Sequence, residues 1–159
     1  MTFDLRPIET ADTESLQKLI GDIYAEYGLV LDLEDVDRHL VDPGPYFRGP
    51  GGECWVLDDG LDRVVATVAV KLLDARTAEL KSLYVHPRLR RRGLASQLTA
   101  RVEAWARETG RTRVELWSDT RFDNAHLFYR RLGYVQAGER DLGDWQHTRE
   151  YGFFKELAG

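Results

Sequence analysis

The hydrophobic residues of the chain follow two spacings, one typical of helices and one typical of strands. Apolar side chains recur every three or four residues after Asp12 and again after Gly93, which predicts two amphipathic helices. The residues that share an apolar face are Leu16, Leu19, Ile20, Ile23 and Tyr27 in the first, and Leu94, Leu98, Val102 and Trp105 in the second. We expect these helices to end near Gly28 and Gly110, because glycine readily adopts the left-handed conformation that terminates a helix.

Shorter apolar stretches bounded by turn-forming residues predict strands. They cover residues 3–7, 53–57, 64–72, 79–85, 113–117 and 149–157. The second and third are joined through the turn-forming residues 58–60. Residues 33–40 predict a short helix, and the Asp-Pro-Gly-Pro sequence at residues 42–45 predicts a break after it. A last helix is expected over residues 125–132, with Asp123 as its cap.

Composition limits the class of protein. The mixture of strands and helices predicts an α/β layered fold, and 159 residues are enough for one domain spanning residues 1–159. A formal net charge of -5 argues against wholesale nucleic-acid binding. Cys54 is the only cysteine, so neither a disulfide framework nor a cysteine metal site is expected. No stretch reads as a signal peptide or membrane span, and we predict a cytoplasmic protein that does not bind membranes.

A basic segment, residues 88–95, joins a predicted strand to a predicted helix. It reads Arg-Leu-Arg-Arg-Arg-Gly-Leu-Ala, so it would place unpartnered N–H groups and a positive helix dipole beside several arginines. That combination binds phosphate, and Gly93 lets a ligand approach the backbone closely. The segment lacks the glycine spacing of a dinucleotide fingerprint and the Gly-Lys-Ser/Thr of a P-loop. A solvated or nucleic-acid-binding patch is the alternative interpretation.

Three segments of the chain carry the pattern of a known family. Arg90, Gly93 and Ala95 match the signature Arg/Gln-x-x-Gly-x-Gly/Ala. Residues 78–87 match the fourth strand and its exit, and residues 125–134 match a helix that ends in leucine, glycine and an aromatic residue. In this order the segments resemble the GNAT superfamily of acyl-CoA-dependent N-acetyltransferases. The resemblance covers roughly the C-terminal half, while the N-terminal half agrees in the order of its elements.

The resemblance implies a mixed central sheet of six to seven strands, with helices on both faces and with splayed fourth and fifth strands. It also implies acetyl-CoA as co-substrate and a pantetheine arm that pairs with strand backbone at Leu83 and Val85. No metal is expected, because His39, His126 and His147 lack a carboxylate spacing typical of a metal site. The residues it assigns to cofactor binding are Leu83, Tyr84, Val85, Arg90, Arg91, Arg92, Gly93, Leu94, Ala95 and Asn124. The family often has asparagine where this chain has Phe122, and Asn124 lies close to that position.

The implied reaction is direct attack of a neutral amine on the thioester, which requires a base. Glu79 occupies a fourth-strand position where some family members have a catalytic glutamate. An ordinary glutamate, with a pKa of about 4.3, is a weak base toward an ammonium group, so burial or a water relay is needed. Glu115, Asp119 and His86 are alternatives, and a carboxylate on an exposed strand face is the structural interpretation of Glu79.

Tyr129 matches the residue that commonly acts as general acid in the family. A phenol with a pKa of about 10 is better suited to hydrogen-bond the departing thiolate than to protonate it fully. A core tyrosine is the alternative interpretation. The developing oxyanion would be met by a strand N–H group within residues 83–85.

An acidic cluster follows the first helix and predicts how the acceptor is attracted. The cluster consists of Asp32, Glu34, Asp35 and Asp37. With Tyr24 and Tyr27 nearby, these carboxylates would draw cationic amines to the mouth of a site, unless they form a solvated helix start. We therefore predict an N-acetyltransferase that acts on a primary amine of a small molecule or a protein. A non-catalytic acyl-CoA-binding sensor is the alternative, and the resemblance leaves a homodimer open.

Overall fold

The computed structural model describes residues 5–61 and 63–158. The strands are β1 (Leu5–Pro7), β2 (Glu53–Asp58), β3 (Val64–Leu72), β4 (Thr77–Val85), β5 (Arg113–Asp119), β6 (Val135–Asp141) and β7 (Arg149–Glu156). The α-helices are α1 (Thr13–Ala25), α2 (Pro43–Arg48), α3 (Leu94–Glu108) and α4 (Asp123–Arg131). Phe3 and Asp4, which the sequence places in the first strand, lie outside the described residues. No helix in the described part of the chain has the length and apolar character needed to cross a membrane.

All of these strands form one sheet in the order β1-β2-β3-β4-β5-β7-β6. Neighbouring strands are antiparallel except β4 and β5, which run parallel. Successive residues of β3 point to opposite faces, where they join separate apolar clusters. Val68 and Val70 pack with Leu98 of α3, whereas Ala69 packs with Leu16 of α1. The sheet is therefore mixed and carries helices on both faces, as the sequence predicts.

The parallel strands at the centre of the sheet separate along their length. β4 pairs with β5 only where Thr77–Glu79 faces Arg113–Glu115. β4 continues for six more residues, 80–85, without a ladder to β5. The predicted splay of the fourth and fifth strands is confirmed. It leaves main-chain N–H and C=O groups along the β5 side of β4 free to bind a ligand.

A β-bulge at Ser82 interrupts β4 just inside the splay. Thr67 of β3 faces Tyr84, and Ala69 faces Lys81, so three steps along β4 oppose two along β3. Ser82 has a φ of 56°, in the left-handed region that L-residues rarely adopt. One strand residue is thereby inserted without a partner, and the alternation of side chains changes beyond it.

The bulge decides which side chains of β4 reach each face. Leu83 and Val85 join the cluster that contains Leu80, although an uninterrupted strand would place them on the opposite face. Tyr84 instead packs with the cluster that contains Tyr24 of α1. Backbone geometry at Ser82 thus brings Tyr84 to the α1 side of the splay.

Two predicted features near the second helix are wrong. Residues 33–40 do not form an α-helix, since they contain turns that end in a single 3₁₀ turn at Arg38–Leu40. The segment predicted to be a break instead starts α2, with Pro43 at its first position. Proline is tolerated there because an N–H group at the first position has no helical acceptor.

Two further differences concern the C-terminal third. Asp123 does not cap α4, because the helix begins at Asp123 itself and Phe122 occupies the N-cap without a side-chain hydrogen bond. In addition, β6, between α4 and β7, is not predicted from the sequence. Every residue of β6 is exposed, so the strand has no apolar alternation from which it could be predicted.

Candidate functional site

A cavity of about 160 Å³ lies at the splay of β4 and β5. β4 contributes residues 79–84, β5 contributes residues 117–119, and α4 contributes Ala125 and Tyr129. Further lining side chains come from α1, from the segment after it, and from β6, β7 and the loop between them: Tyr24, Asp37, His39, Arg140, Gln146 and Glu150. The cavity therefore brings together Glu79 and Tyr129, the two residues expected to be catalytic, with Leu83 and Tyr84.

Tyr129 projects from α4 into this cavity with a free hydroxyl group. Its side chain is buried, and its ring lies 5.8 Å from that of Phe153 and 5.9 Å from that of Tyr134. The hydroxyl makes no hydrogen bond within residues 5–61 and 63–158. Burial raises the pKa of Tyr129 well above its ordinary value, so the phenol keeps its proton and can donate it in a hydrogen bond.

Glu79 is buried at the last position of β4 that pairs with β5, immediately before these two strands separate. Its exposed fraction is 8%, which contradicts the interpretation of an exposed carboxylate on a strand face. No hydrogen bond or ion pair holds the carboxylate among the residues that the structure describes. A carboxylate that is buried without a protein partner is available to a ligand in the cavity.

The alternative bases are held by other groups. Glu115 accepts a hydrogen bond of 3.0 Å from the guanidinium of Arg113, and Asp119 forms an ion pair of 2.9 Å with Arg121. His86 lies outside the cavity lining, and its Nδ1 accepts the N–H of the residue two positions further on. Of the four candidates, the geometry favours Glu79.

The basic segment forms a turn at the start of α3. Gly93 is the N-cap with a φ of 76°, and no side chain caps the helix. The first N–H groups of α3 consequently lack a side-chain acceptor, as a phosphate site requires. Arg91 and Arg92 are exposed, whereas Arg90 forms an ion pair of 2.9 Å with Glu26. Leu94 and Ala95 begin the helix at this turn.

Asn124 lies on the exposed surface of α4 and does not line the cavity. Phe122, which stands where the family often has asparagine, packs its ring 4.7 Å from that of Tyr27 and 6.3 Å from that of Tyr24. Phe122 thus links the start of α4 to the end of α1. The assignment of Asn124 to cofactor binding stays a prediction.

A partly buried chain of hydrogen bonds on the α1 side was not predicted from the sequence. Tyr84 donates to the Tyr24 hydroxyl over 3.3 Å, and Tyr24 donates to Asp37 over 3.1 Å. Asp37 also accepts the N–H of Asp32, and burial raises the pKa of Asp37 above its ordinary value. Of the acidic cluster, Asp37 alone lines the cavity. The cluster therefore contributes less negative charge to the site than the sequence suggests.

His39 closes the cavity on the α2 side. Its ring centroid lies 6.0 Å from that of Tyr46 and 6.2 Å from that of Phe47. Burial, together with the positive charges of Lys81 and Lys71, lowers the pKa of His39 to about 3. The imidazole is therefore neutral in the folded protein at physiological pH.

The neutral, partly buried His39 makes stability depend on pH. The unfolded chain binds a proton at this residue below pH ~6.5, whereas the folded chain does not until about pH 3, so stability falls as the pH is lowered between these values. From pH 7 to pH 5 we expect this residue to reduce the free energy of unfolding by about 2 kcal/mol. Urea unfolding at both pH values should show that His39→Gln loses this part of the dependence. An equal dependence in variant and wild type would contradict the prediction.

Known proteins that resemble this chain identify its family and its fold. The acetyltransferase (GNAT) family model matches residues 14–134. An aminoalkylphosphonate N-acetyltransferase from Salmonella typhimurium is 30% identical over 140 residues, which cover 84% of this chain and 86% of that protein.

Solved structures show the same architecture. A GNAT-family acetyltransferase from Staphylococcus aureus superposes with a TM-score of 0.88 at 18% identity, covering 99% of this chain and 100% of that one. A GNAT phosphinothricin acetyltransferase from Sinorhizobium meliloti, solved with AcCoA, has a TM-score of 0.76 at 16% identity, covering 99% of this chain and 90% of that one. The chain belongs to the GNAT family of acyl-CoA-dependent acetyltransferases.

Proposed function

We propose that this enzyme transfers the acetyl group of acetyl-CoA directly to a primary amine of a small molecule or a protein, within a ternary complex. The observation that carries the proposal is the position of Glu79 and Tyr129. Both line one cavity at the splay, and neither functional group has a hydrogen-bonding partner among the described residues. One group accepts a proton when ionised and the other donates a hydrogen bond, as acyl transfer to an amine requires.

The residues around the splay are suited to hold acetyl-CoA. Beyond Glu79, β4 has no ladder to β5 among the described residues, so the pantetheine arm can add there as an extra strand at Leu83 and Val85. The Ser82 hydroxyl is itself shielded from solvent and has no hydrogen-bonding partner among the described residues. It lies at the bulge in the cavity wall, where a bound ligand can satisfy it. Acetyl-CoA supplies the thioester carbonyl that the amine attacks.

Each catalytic residue has a separate task in this scheme. Glu79 receives the proton that the ammonium must lose, directly or through one water molecule. Tyr129 donates a hydrogen bond to the sulfur of the departing thiolate, and its raised pKa keeps the phenol protonated for this purpose. An N–H group of β4 within residues 83–85 stabilises the developing oxyanion.

The phosphate turn can be tested through Gly93. We expect Gly93→Ala to weaken acetyl-CoA binding about tenfold, because the added methyl group obstructs close approach to the first N–H groups of α3. Alanine also strains the left-handed backbone at a φ of +76°, by about 1 kcal/mol. Calorimetric titration with acetyl-CoA and urea unfolding measure the two effects.

Gly110→Ala is the matched control for this variant. Gly110 follows the other end of α3, has a φ of +80°, and has nothing within 4 Å of an added Cβ, as is also true of Gly93. The Gly110→Ala variant should therefore lose a similar amount of stability and bind acetyl-CoA as tightly as the wild type does. Equal acetyl-CoA affinities in both variants would mean that phosphate does not bind at this turn.

The proposed activity is tested by measuring CoA thiol release from acetyl-CoA with a panel of amines, with mass detection of the acetylated products. The panel includes polyamines, amino acids, aminoglycosides, basic peptides and aminoalkylphosphonates, the last because of the name of the Salmonella relative. Amine-dependent release with a product heavier by one acetyl group supports the proposal. Calorimetric binding of acetyl-CoA without release from any amine would favour the sensor.

A further inference from the structure

Lys81 is a cation without a counter-ion in the wall of the candidate site. It lines the cavity from β4, and no carboxylate of the described residues lies within ion-pair distance of its amine. The other charged groups of the cavity are accounted for differently. Arg140 forms an ion pair of 2.7 Å with Glu150, and His39 is neutral. Among the described lining residues, Lys81 therefore provides the unpaired positive charge.

Glu79 and Lys81 form a pair of opposite charges that do not contact each other. They are two residues apart on β4, before the bulge, so their side chains leave the same face of the strand. The distance between such residues along a strand is about 6.6 Å. Long side chains at this spacing can hold the two ends of a small molecule whose ammonium and anionic groups are a few bonds apart. Partial burial without a counter-charge is unfavourable for each group, and such a ligand would relieve both.

Hydrogen bonds also link two loops beside the cavity. The side-chain amide of Gln146, in the loop between β6 and β7, accepts the N–H of Val30 and donates to its carbonyl oxygen, both over 2.8 Å. The neighbouring Trp145 donates its indole N–H to Asp32 over 3.1 Å. Gln146 itself lines the cavity. An extended polypeptide passing between these loops would have to break three hydrogen bonds, whereas a small molecule within the cavity would not.

We infer that the acceptor is a small amine that also carries a carboxylate or phosphonate, with its ammonium at Glu79 and its anionic group at Lys81. The inference rests on the proposed function and adds the substrate class. Charge complementarity assigns the two ends, because the ammonium must reach the residue that takes its proton. Lys81 then acts as a specificity-determining residue that binds the group remote from the reaction.

The test compares acceptors that differ in the anionic group. The activity with 2-aminoethylphosphonate and the activity with β-alanine are each compared with the activity with ethylamine. Both comparisons are made for the wild type and for Lys81→Met, which retains a long apolar side chain. In the wild type we expect kcat/KM to be at least about tenfold higher for each anionic acceptor. Lys81→Met should reduce that ratio to near one, mainly through KM, and Lys81→Arg should restore part of it.

Lys71→Met is the matched control. Lys71 lies opposite Glu79 on the neighbouring strand β3, but its amine contacts the Tyr46 hydroxyl and it does not line the cavity. Its removal should therefore preserve the preference for anionic acceptors. A wild-type ratio near one, or a Lys81→Met ratio equal to that of the wild type, would overturn the inference. Acetylation of basic peptides as efficient as that of the anionic amines would also overturn it.

A binding measurement separates failure of the inference from failure of the proposed function. Absence of CoA release from every amine would reject the proposed function. Calorimetric titration of the CoA-bound protein with 2-aminoethylphosphonate would still show whether Lys81 binds the anionic group. Binding that weakens about tenfold or more in Lys81→Met supports the inference, and absence of binding in the wild type overturns it.

Discussion

Replacing Tyr129 by phenylalanine is expected to lower kcat for CoA release by about 100-fold without loss of the fold. Removal of one positioned hydrogen-bond donor from developing negative charge typically has an effect of this size. The hydroxyl has no hydrogen bond within the described residues, so its loss leaves no protein group unpaired. The ring contacts with Phe153 and Tyr134 are kept, and stability should change little.

Steady-state CoA release at saturating substrates, calorimetric binding of acetyl-CoA and thermal unfolding together test this expectation. Tyr134→Phe is the control, because Tyr134 belongs to the same aromatic cluster but donates its hydroxyl to Glu103 over 2.9 Å. That variant should lose about 1 kcal/mol of stability and retain its kcat. A Tyr129→Phe enzyme whose kcat stays within threefold of the wild type would show that Tyr129 is a core residue only.

The main elements of the fold were predictable because burial imposes a period on the sequence. The predicted face of α3 contains Leu98 and Val102, which are fully enclosed by the sheet, while Trp105 at its margin is partly buried. β6 could not be found in the same way, since all of its residues are exposed and its place is determined by hydrogen bonding to β7. The helix predicted over residues 33–40 failed because Asp37 bonds back to Asp32 instead: its carboxylate accepts the Asp32 N–H, and its own N–H donates to the Asp32 carbonyl oxygen.

The candidate site was predictable only in part. Family resemblance placed Glu79 and Tyr129 in one site, and the structure brings both side chains to the same cavity. The bulge at Ser82 depends on the register between β3 and β4, which the sequence of β4 alone does not contain. The pairing of Tyr84 with Tyr24 follows from that bulge. Lys81 had no distinguishing mark in the sequence, because a missing counter-ion is a property of the folded arrangement.

Replacing Glu79 by glutamine is expected to lower kcat/KM by about 100-fold at pH 7. Glutamine keeps the size of the side chain but cannot accept a proton from the ammonium group. An amine with a pKa of about 10 is neutral in only about one molecule in a thousand at pH 7, so the variant must rely on that fraction. Its kcat/KM should consequently rise about tenfold for each pH unit from 7 to 9, and the difference from the wild type should shrink as the pH rises.

Glu115→Gln is the control for this experiment, because Glu115 faces Glu79 across the parallel pair of strands yet is bound to Arg113. If Glu79 is the base, Glu115→Gln should retain the wild-type pH profile. Parallel profiles for Glu79→Gln and the wild type would reject this role for Glu79, and a steep profile in Asp119→Asn would transfer it to Asp119. Because Arg121 holds the Asp119 carboxylate at 2.9 Å, proton transfer to Asp119 would have to break an ion pair that Glu79 does not have.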